Sequence, residues 1–244
     1  MSKVQPPLYT STGELFQLVR VYYQVFNQPA ILKAFRKLRC INFDSTKNRW
    51  VWLFEDEAKN LKLAKPHSEL PKAIRPVVIG AFTFQGKDQM LFDVRSCERA
   101  TQGIEFFDRR INRKVAEVTN LRIVNKLFEG TQEKAKEMIQ QSPDHFFNRD
   151  NIARSGEALL AKMEALEDEE DINVRRKELL AWIAQDSQAP LPEVEEMPTH
   201  FYEDGIESLS VALKLRQREL LQRWNGNQKA NMFDIIQALM KSKP

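Results

Sequence analysis

The sequence predicts an α+β fold: a mixed or antiparallel sheet with flanking helices, ordered α-α-β-β then β-β-α-β, followed by an all-helical C-terminal region. Three observations carry this prediction. Two β-branched and aromatic runs of strand length, residues 77–84 and 90–94, face each other across Gly86-Lys87-Asp88. Behind them, Ala100, Ile104, Phe107 and Ile111 recur with a helical period, leaving Glu98, Arg99, Asp108 and Arg109 on the other face. After Phe128 the composition shifts to helix formers.

The elements follow in chain order. Ser11 and Glu14 stand at capping-box spacing, and Leu15, Leu18, Val19, Tyr22 and Phe26 fall on one helical face, so a first helix is expected to end near Asn27. Pro29 suits the first turn of a second helix, with Ile31, Leu32, Phe35 and Leu38 inward and Lys33, Arg36, Lys37 and Arg39 forming a basic face. Residues 40–43 and 49–54, joined by a polar turn at 44–48, read as a hairpin with an aromatic second strand. The charged stretch 55–75, with Pro66 and Pro71, predicts a short helix and a loop.

Pro76 fits the start of the 77–84 strand, and Gly86 supplies the positive φ that the turn into residues 90–94 requires. Ser96 is the N-cap of the amphipathic helix, and Val115, Val118, Leu121, Ile123 and Val124 predict a further strand or strand pair. Helices are expected over 131–141, 155–168 and 172–186. The last two form a hairpin about the acidic turn 167–171, through Leu159, Met163 and Leu166 against Leu179, Leu180 and Ile183. Ile206, Leu209, Leu213, Leu220 and Trp224 mark a long helix stopped by Asn225-Gly226-Asn227, and 232–240 a last one. The domain reading is an α+β domain at 8–130, an acidic helical hairpin region at 131–186, a Pro- and acid-rich connector at 187–203, and C-terminal helices at 204–244.

The chain has 244 residues, 42% hydrophobic and 29% charged, which is the balance of a globular protein rather than a disordered one. No apolar run approaches the roughly 20 residues that span a bilayer, and the N-terminus has no apolar signal core, so membrane insertion and secretion are not expected. Two cysteines, Cys40 and Cys97, and no Asn-x-Ser/Thr sequon point to the cytoplasm. The net charge of +3 conceals a strong polarity. Residues 1–130 hold 22 Lys and Arg against 13 Asp and Glu, residues 131–205 hold 8 against 18, and residues 206–244 hold 7 against 3. Such segregation favours electrostatic contact with a partner or between the chain's own segments.

The common catalytic motifs are absent: there is no glycine-rich phosphate loop, no His-Glu-x-x-His, no paired-cysteine metal motif and no Gly-x-Ser-x-Gly elbow. His67, His145 and His200 lack ligand spacing, so neither a metal nor a cofactor is expected. Asp93-Val94-Arg95, at the end of the second central strand, has the one catalytic shape. With the helix and strand that follow, it resembles the core of the restriction-endonuclease-like nucleases, which hold Mg²⁺ on strand-end carboxylates and place a lysine near the scissile phosphate. Here Arg95 stands at the lysine position, and the preceding strand offers no aspartate. The resemblance therefore implies a degenerate core, and a structural Asp93–Arg95 pair is the simpler expectation. Glu57-Ala58-Lys59, with Asp44 upstream, is a second acid-x-Lys pattern.

Two binding readings remain. Arg36, Lys37 and Arg39, and Arg109, Arg110, Arg113 and Lys114, lie in a sequence that also carries Phe43, Trp50, Trp52 and Phe54, the combination a single-stranded nucleic-acid site uses. Leu213, Arg216, Leu220, Arg223 and Trp224 combine apolar anchors at helical spacing with edge arginines, as partner-binding helices do. The leading expectation is a non-enzymatic intracellular protein-binding or assembly protein with another protein as its partner. The alternative is a nucleic-acid-binding protein, with a metal-dependent nuclease as its enzymatic form.

Overall fold

A computed structural model describes residues 5–149 and 152–241. It contains one eight-stranded sheet with the strands β1 (Val19–Val25), β2 (Ile41–Asp44), β3 (Arg49–Leu53), β4 (Val78–Gln85), β5 (Gln89–Val94), β6 (Ala116–Val124), β7 (Ala153–Arg154) and β8 (Val194–Pro198). Their order is β2-β3-β4-β5-β1-β6-β8-β7, and every neighbouring pair is antiparallel except β7 with β8. The helices are α1 (Gln28–Phe35), α2 (Cys97–Asp108), α3 (Gln132–Gln140), α4 (Asp144–Phe147), α5 (Glu157–Ala165), α6 (Ile172–Asp186), α7 (Phe201–Trp224) and α8 (Met232–Lys241). The α+β class is as expected, with α7 and α8 forming the helical C-terminal end.

The first expected helix is instead β1, which sits between β5 and β6. Val19, Val21, Tyr23 and Val25 alternate into the main core, while Arg20, Tyr22 and Gln24 take the opposite face. The same residues satisfy a helical period, but β-branched and aromatic side chains alternating over seven positions fit a pleated surface better. Glu14 does not close a capping box. Its carboxylate accepts the hydroxyls of Thr10 and Thr12 and the Ala64 N–H, and pairs with the buried Arg99.

Of the two readings of residues 116–124, a strand or a strand pair, the structure has the single strand, with a register shift opposite Tyr22 and Tyr23. Two further expectations are corrected. The stretch 55–75 contains three short 3-10 turns in place of one helix. The connector carries β8, which pairs with β6 over five residues, and β7 joins it, so the chain after residue 130 contributes strands as well as helices.

The main core lies between the sheet and α2. Ser96 caps α2 by accepting the Arg99 N–H, and Ala100, Ile104 and Phe107 are wholly buried; burying a Phe or Ile side chain contributes about 1.5–3 kcal/mol. Phe82 and Phe92 stack with ring centroids 4.3 Å apart, and Trp52 and Phe107 close around them. Phe92 lies between Gly80 of β4 and Gly103 of α2, close enough that a Cβ at either glycine would overlap its ring. Gly86 has the expected positive φ, 66°, in the β4–β5 turn. On the other face of the sheet a second cluster, including Phe16, Leu18, Phe128, Met138, Phe146 and Phe147, lies beneath α3 and α4.

Because a methyl group at residue 103 meets the Phe92 ring rather than a flexible side-chain end, Gly103→Ala is expected to destabilise the fold by about 1–3 kcal/mol despite its better helix propensity. A lowered urea midpoint checks this, and an unchanged or raised midpoint would contradict it.

Candidate functional sites

The strand-end acid Asp93 lies on the sheet face opposite α2, directly across from Arg20 in the β1–β5 register. Arg20 is 2% exposed. Its Nε donates to Asp93 Oδ1 at 2.7 Å and its Nη2 to Asp93 Oδ2 at 3.0 Å. The same Nη2 donates to Asp144 Oδ1 at 2.8 Å, and the guanidinium lies over the Phe147 ring, 5.0 Å from its centroid. Burial alone would depress the Arg20 guanidinium, but the bond to Asp93 and the charges of Asp93 and Asp144 hold it above its ordinary value. Burial also lifts the Asp93 carboxyl, against the pull of Arg20.

The expected Asp93–Arg95 pair is not formed. Directly opposed cross-strand side chains lie closer than residues two apart along one strand, so Asp93 takes Arg20 as its partner. Arg95 donates instead to the Ile139 carbonyl at 3.4 Å, and its guanidinium is depressed by burial and by the neighbouring charge of Arg49. The place a cation would need between the carboxylates of Asp93 and Asp144 is filled by the Arg20 guanidinium. The second acid-x-Lys pattern does not converge either. Glu57 accepts the backbone N–H groups of Arg39 and Cys40, Lys59 turns to Glu55 at 3.5 Å, and Asp44 holds Thr46 and Arg49. Among the described residues, no group of three or more His, Cys, Asp or Glu could hold a metal ion.

Of the two basic clusters, the α1 one places Arg39 Nε 3.6 Å from the Glu57 carboxylate. The α2-end cluster is largely engaged within the chain. Arg109 reaches Glu105, Arg110 stacks on Phe106 at 3.6 Å, and Arg113 holds Asp108 through two bonds while lying over Tyr202. The α1 cluster differs: among the described residues no ion pair involves Lys33, Arg36, Lys37 or Lys47. Beside it lies a groove of about 480 Å³ lined by Gln28 and Leu32 of α1, its C-cap Arg36, Phe43 of β2, Asn48 and Trp50, and Phe84 of β4. Of the aromatics singled out in the sequence, Trp52 and Phe54 are wholly buried, Trp50 is half-buried and Phe43 is exposed.

The α7 residues face the chain itself. Leu213 belongs to the main core, and Leu220 packs with Leu15 and Leu127. Arg216, itself buried, bridges Glu195 of β8 at 2.8 Å and Glu219 at 2.6 Å. Arg223 reaches Glu219 and the Ala230 carbonyl, and Trp224 donates to the Gln5 carbonyl. This face serves internal packing. By contrast, α5 and α6 pack on each other with no residue of either helix buried, and Leu160, Met163, Ile172, Val174 and Leu180 are exposed. Helical patterning finds this pair, but nothing in that pattern distinguishes an outward apolar side chain from an inward one.

Compared with known proteins, the chain matches no family model, no curated protein and no solved structure.

Removing the buried guanidinium strands the Asp93 carboxylate, so Arg20→Met is expected to lose about 3–5 kcal/mol, while the double variant Arg20→Met/Asp93→Leu recovers much of it. Urea unfolding of both variants checks this; a double variant no more stable than the single one would contradict it. Glu57 supplies a pH test. Burial alone would raise its carboxyl, but backbone N–H groups, its own first and then those of Cys40 and Arg39, bring it down from 4.5 to about 2. Its ionised form therefore stabilises the fold above pH 4.5, and the contribution is lost as pH falls from 4.5 to about 2. Glu57→Gln is expected to lower the urea midpoint at neutral pH and to flatten its fall across that window.

Proposed function

We propose that this chain is a non-enzymatic cytoplasmic assembly protein that binds another protein through the α5–α6 pair. One observation carries the reading: two helices totalling 24 residues bury none of them against the sheet domain, while Leu160 is 61% and Ile172 69% exposed. Isolated apolar side chains on a surface are ordinary, but a helical pair with almost no internal core gains its stability from tertiary packing, which an outside partner can supply. Leu160 and Met163 are one turn apart on α5, and Ile172 and Leu180 about two turns apart on α6, the spacing of helix-in-groove anchors.

The charge around them specifies the partner's chemistry. Residues 157–186 hold nine acidic against four basic side chains, and among the described residues none of these acids is in an ion pair. The complement is a protein surface with an apolar strip flanked by Lys and Arg. The arginines that answer the strand-end carboxylates support a non-catalytic role. Cys40 and Cys97 are both buried and unpaired, which is in keeping with a reducing compartment.

Affinity capture from the native source, with nuclease treatment, is expected to retain a discrete protein set that elutes with salt. Leu160→Asp/Leu180→Asp should abolish its capture without shifting the thermal midpoint of the purified chain, since neither residue is buried. Equal capture by the variant, or loss of all capture after nuclease treatment, would overturn the proposal.

A further inference from the structure

We propose that the groove between α1 and the β2–β3 edge is a binding site for single-stranded nucleic acid, independent of the α5–α6 surface. The floor of the groove is aromatic and aliphatic, from Phe43, Trp50, Phe84 and Leu32. Trp50 is anchored from beneath, 5.7 Å from Phe35 and 5.1 Å from Phe43, so its ring is fixed before any ligand arrives. Phe43 is 50% exposed on an edge strand. A ring held in place with an open face is the stacking platform on which a nucleobase loses little additional entropy.

The rim decides between ligands. Arg36, the C-cap of α1, lines the groove; Lys33 and Lys37 are the chain neighbours of its lining residues Leu32 and Arg36, and Lys47 precedes Asn48 in the β2–β3 turn. All four are exposed, and among the described residues none is in an ion pair. No carboxylate lines the groove, and the closest one in sequence to Phe43, Asp44, is held by Thr46 and Arg49. An apolar protein segment alone would leave four cations unanswered. A single strand brings what both parts ask for, a flat ring for the floor and phosphates for the rim, and the amides of Asn48 and Gln28 can meet base edges. A duplex keeps its bases stacked and cannot offer one to Trp50.

Fluorescence anisotropy of the full chain with fluorescein-labelled oligo(dT) and oligo(U) of roughly ten nucleotides tests this. Saturable binding is expected, with a log–log salt slope of about −3 for four neutralised phosphates and quenching of tryptophan emission. Phe43→Ala should weaken binding roughly ten- to a hundredfold and Arg36→Glu should weaken it further, with both variants retaining the wild-type thermal midpoint. The Leu160→Asp/Leu180→Asp variant should bind the oligonucleotides normally, which separates this site from the protein-partner surface. Absence of binding at low salt would overturn the proposal, as would binding unaffected by Phe43→Ala and Arg36→Glu. Tighter binding of a labelled acidic peptide carrying one tryptophan would also overturn it, giving the groove to protein segments.

Discussion

A guanidinium buried near the start of a central strand has to be answered from within the protein, because almost no solvent reaches it to do so. Arg20 occupies that position, and the pieces around it are arranged as its partners. Asp93 comes from the neighbouring strand in direct register, Asp144 from α4, and the Phe147 ring from the same helix. The interaction ties the short helix that covers the second sheet face to the sheet itself, alongside the bond from Arg122 to the Phe147 carbonyl and the apolar cluster around Phe146 and Phe147. It also determines the chemistry of the one spot with a nuclease-like layout. A carboxylate pair bridged by an always-charged arginine is a fastener, with the guanidinium lying where a bound cation would have to sit.

The opposite face is governed by shape rather than charge. Phe92 fits only because β4 and α2 present glycines to it, and this close approach brings Phe107 and Trp52 into contact with the stacked Phe82–Phe92 pair. From there a chain of ring contacts runs outward through Phe35 to Trp50 and Phe43. The aromatic groove is thus the surface end of the core. The rigidity that close packing imposes inside extends to a ring that solvent can reach.

How far the sequence revealed this follows from which signals were local. The β4–β5 hairpin, its glycine turn, the capped α2 and the C-terminal helices depend on turn and period chemistry within a few residues, and each is where the pattern puts it. The central strand was missed because Leu15, Leu18, Val19, Tyr22 and Phe26 satisfy a 3.6-residue period while Val19, Val21, Tyr23 and Val25 satisfy a two-residue one. Only the sheet, assembled from β5 and β6 far along the chain, selects between them. β8 was hidden for the same reason: its prolines and acids read as a connector until Arg122 and Arg216 from other elements neutralise Glu196 and Glu195. The candidate sites divide likewise. Asp93 stood out as a strand-end acid, but its partner lies 73 residues away. The groove-lining Phe43, Trp50 and Arg36 were visible as types, and only the fold brings them together.

The charge polarity of the chain can now be divided between what the fold consumes and what it leaves. The acids of β8, and Glu193 just before it, are consumed internally by Arg122, Arg149, Arg154 and Arg216. The arginines at the end of α2 are consumed by Glu105, Asp108 and aromatic faces. What remains is an acidic helical pair and a basic groove. If intrachain pairing were the purpose of the segregation, these two would be its natural partners, yet among the described residues no ion pair connects them. Two uncompensated surfaces of opposite sign lower net self-repulsion while each keeps its attraction for an outside ligand. The two surfaces ask for different chemistry: the partner proposed for the first is a basic, apolar protein face, and the ligand proposed for the second is an anionic chain bearing flat rings.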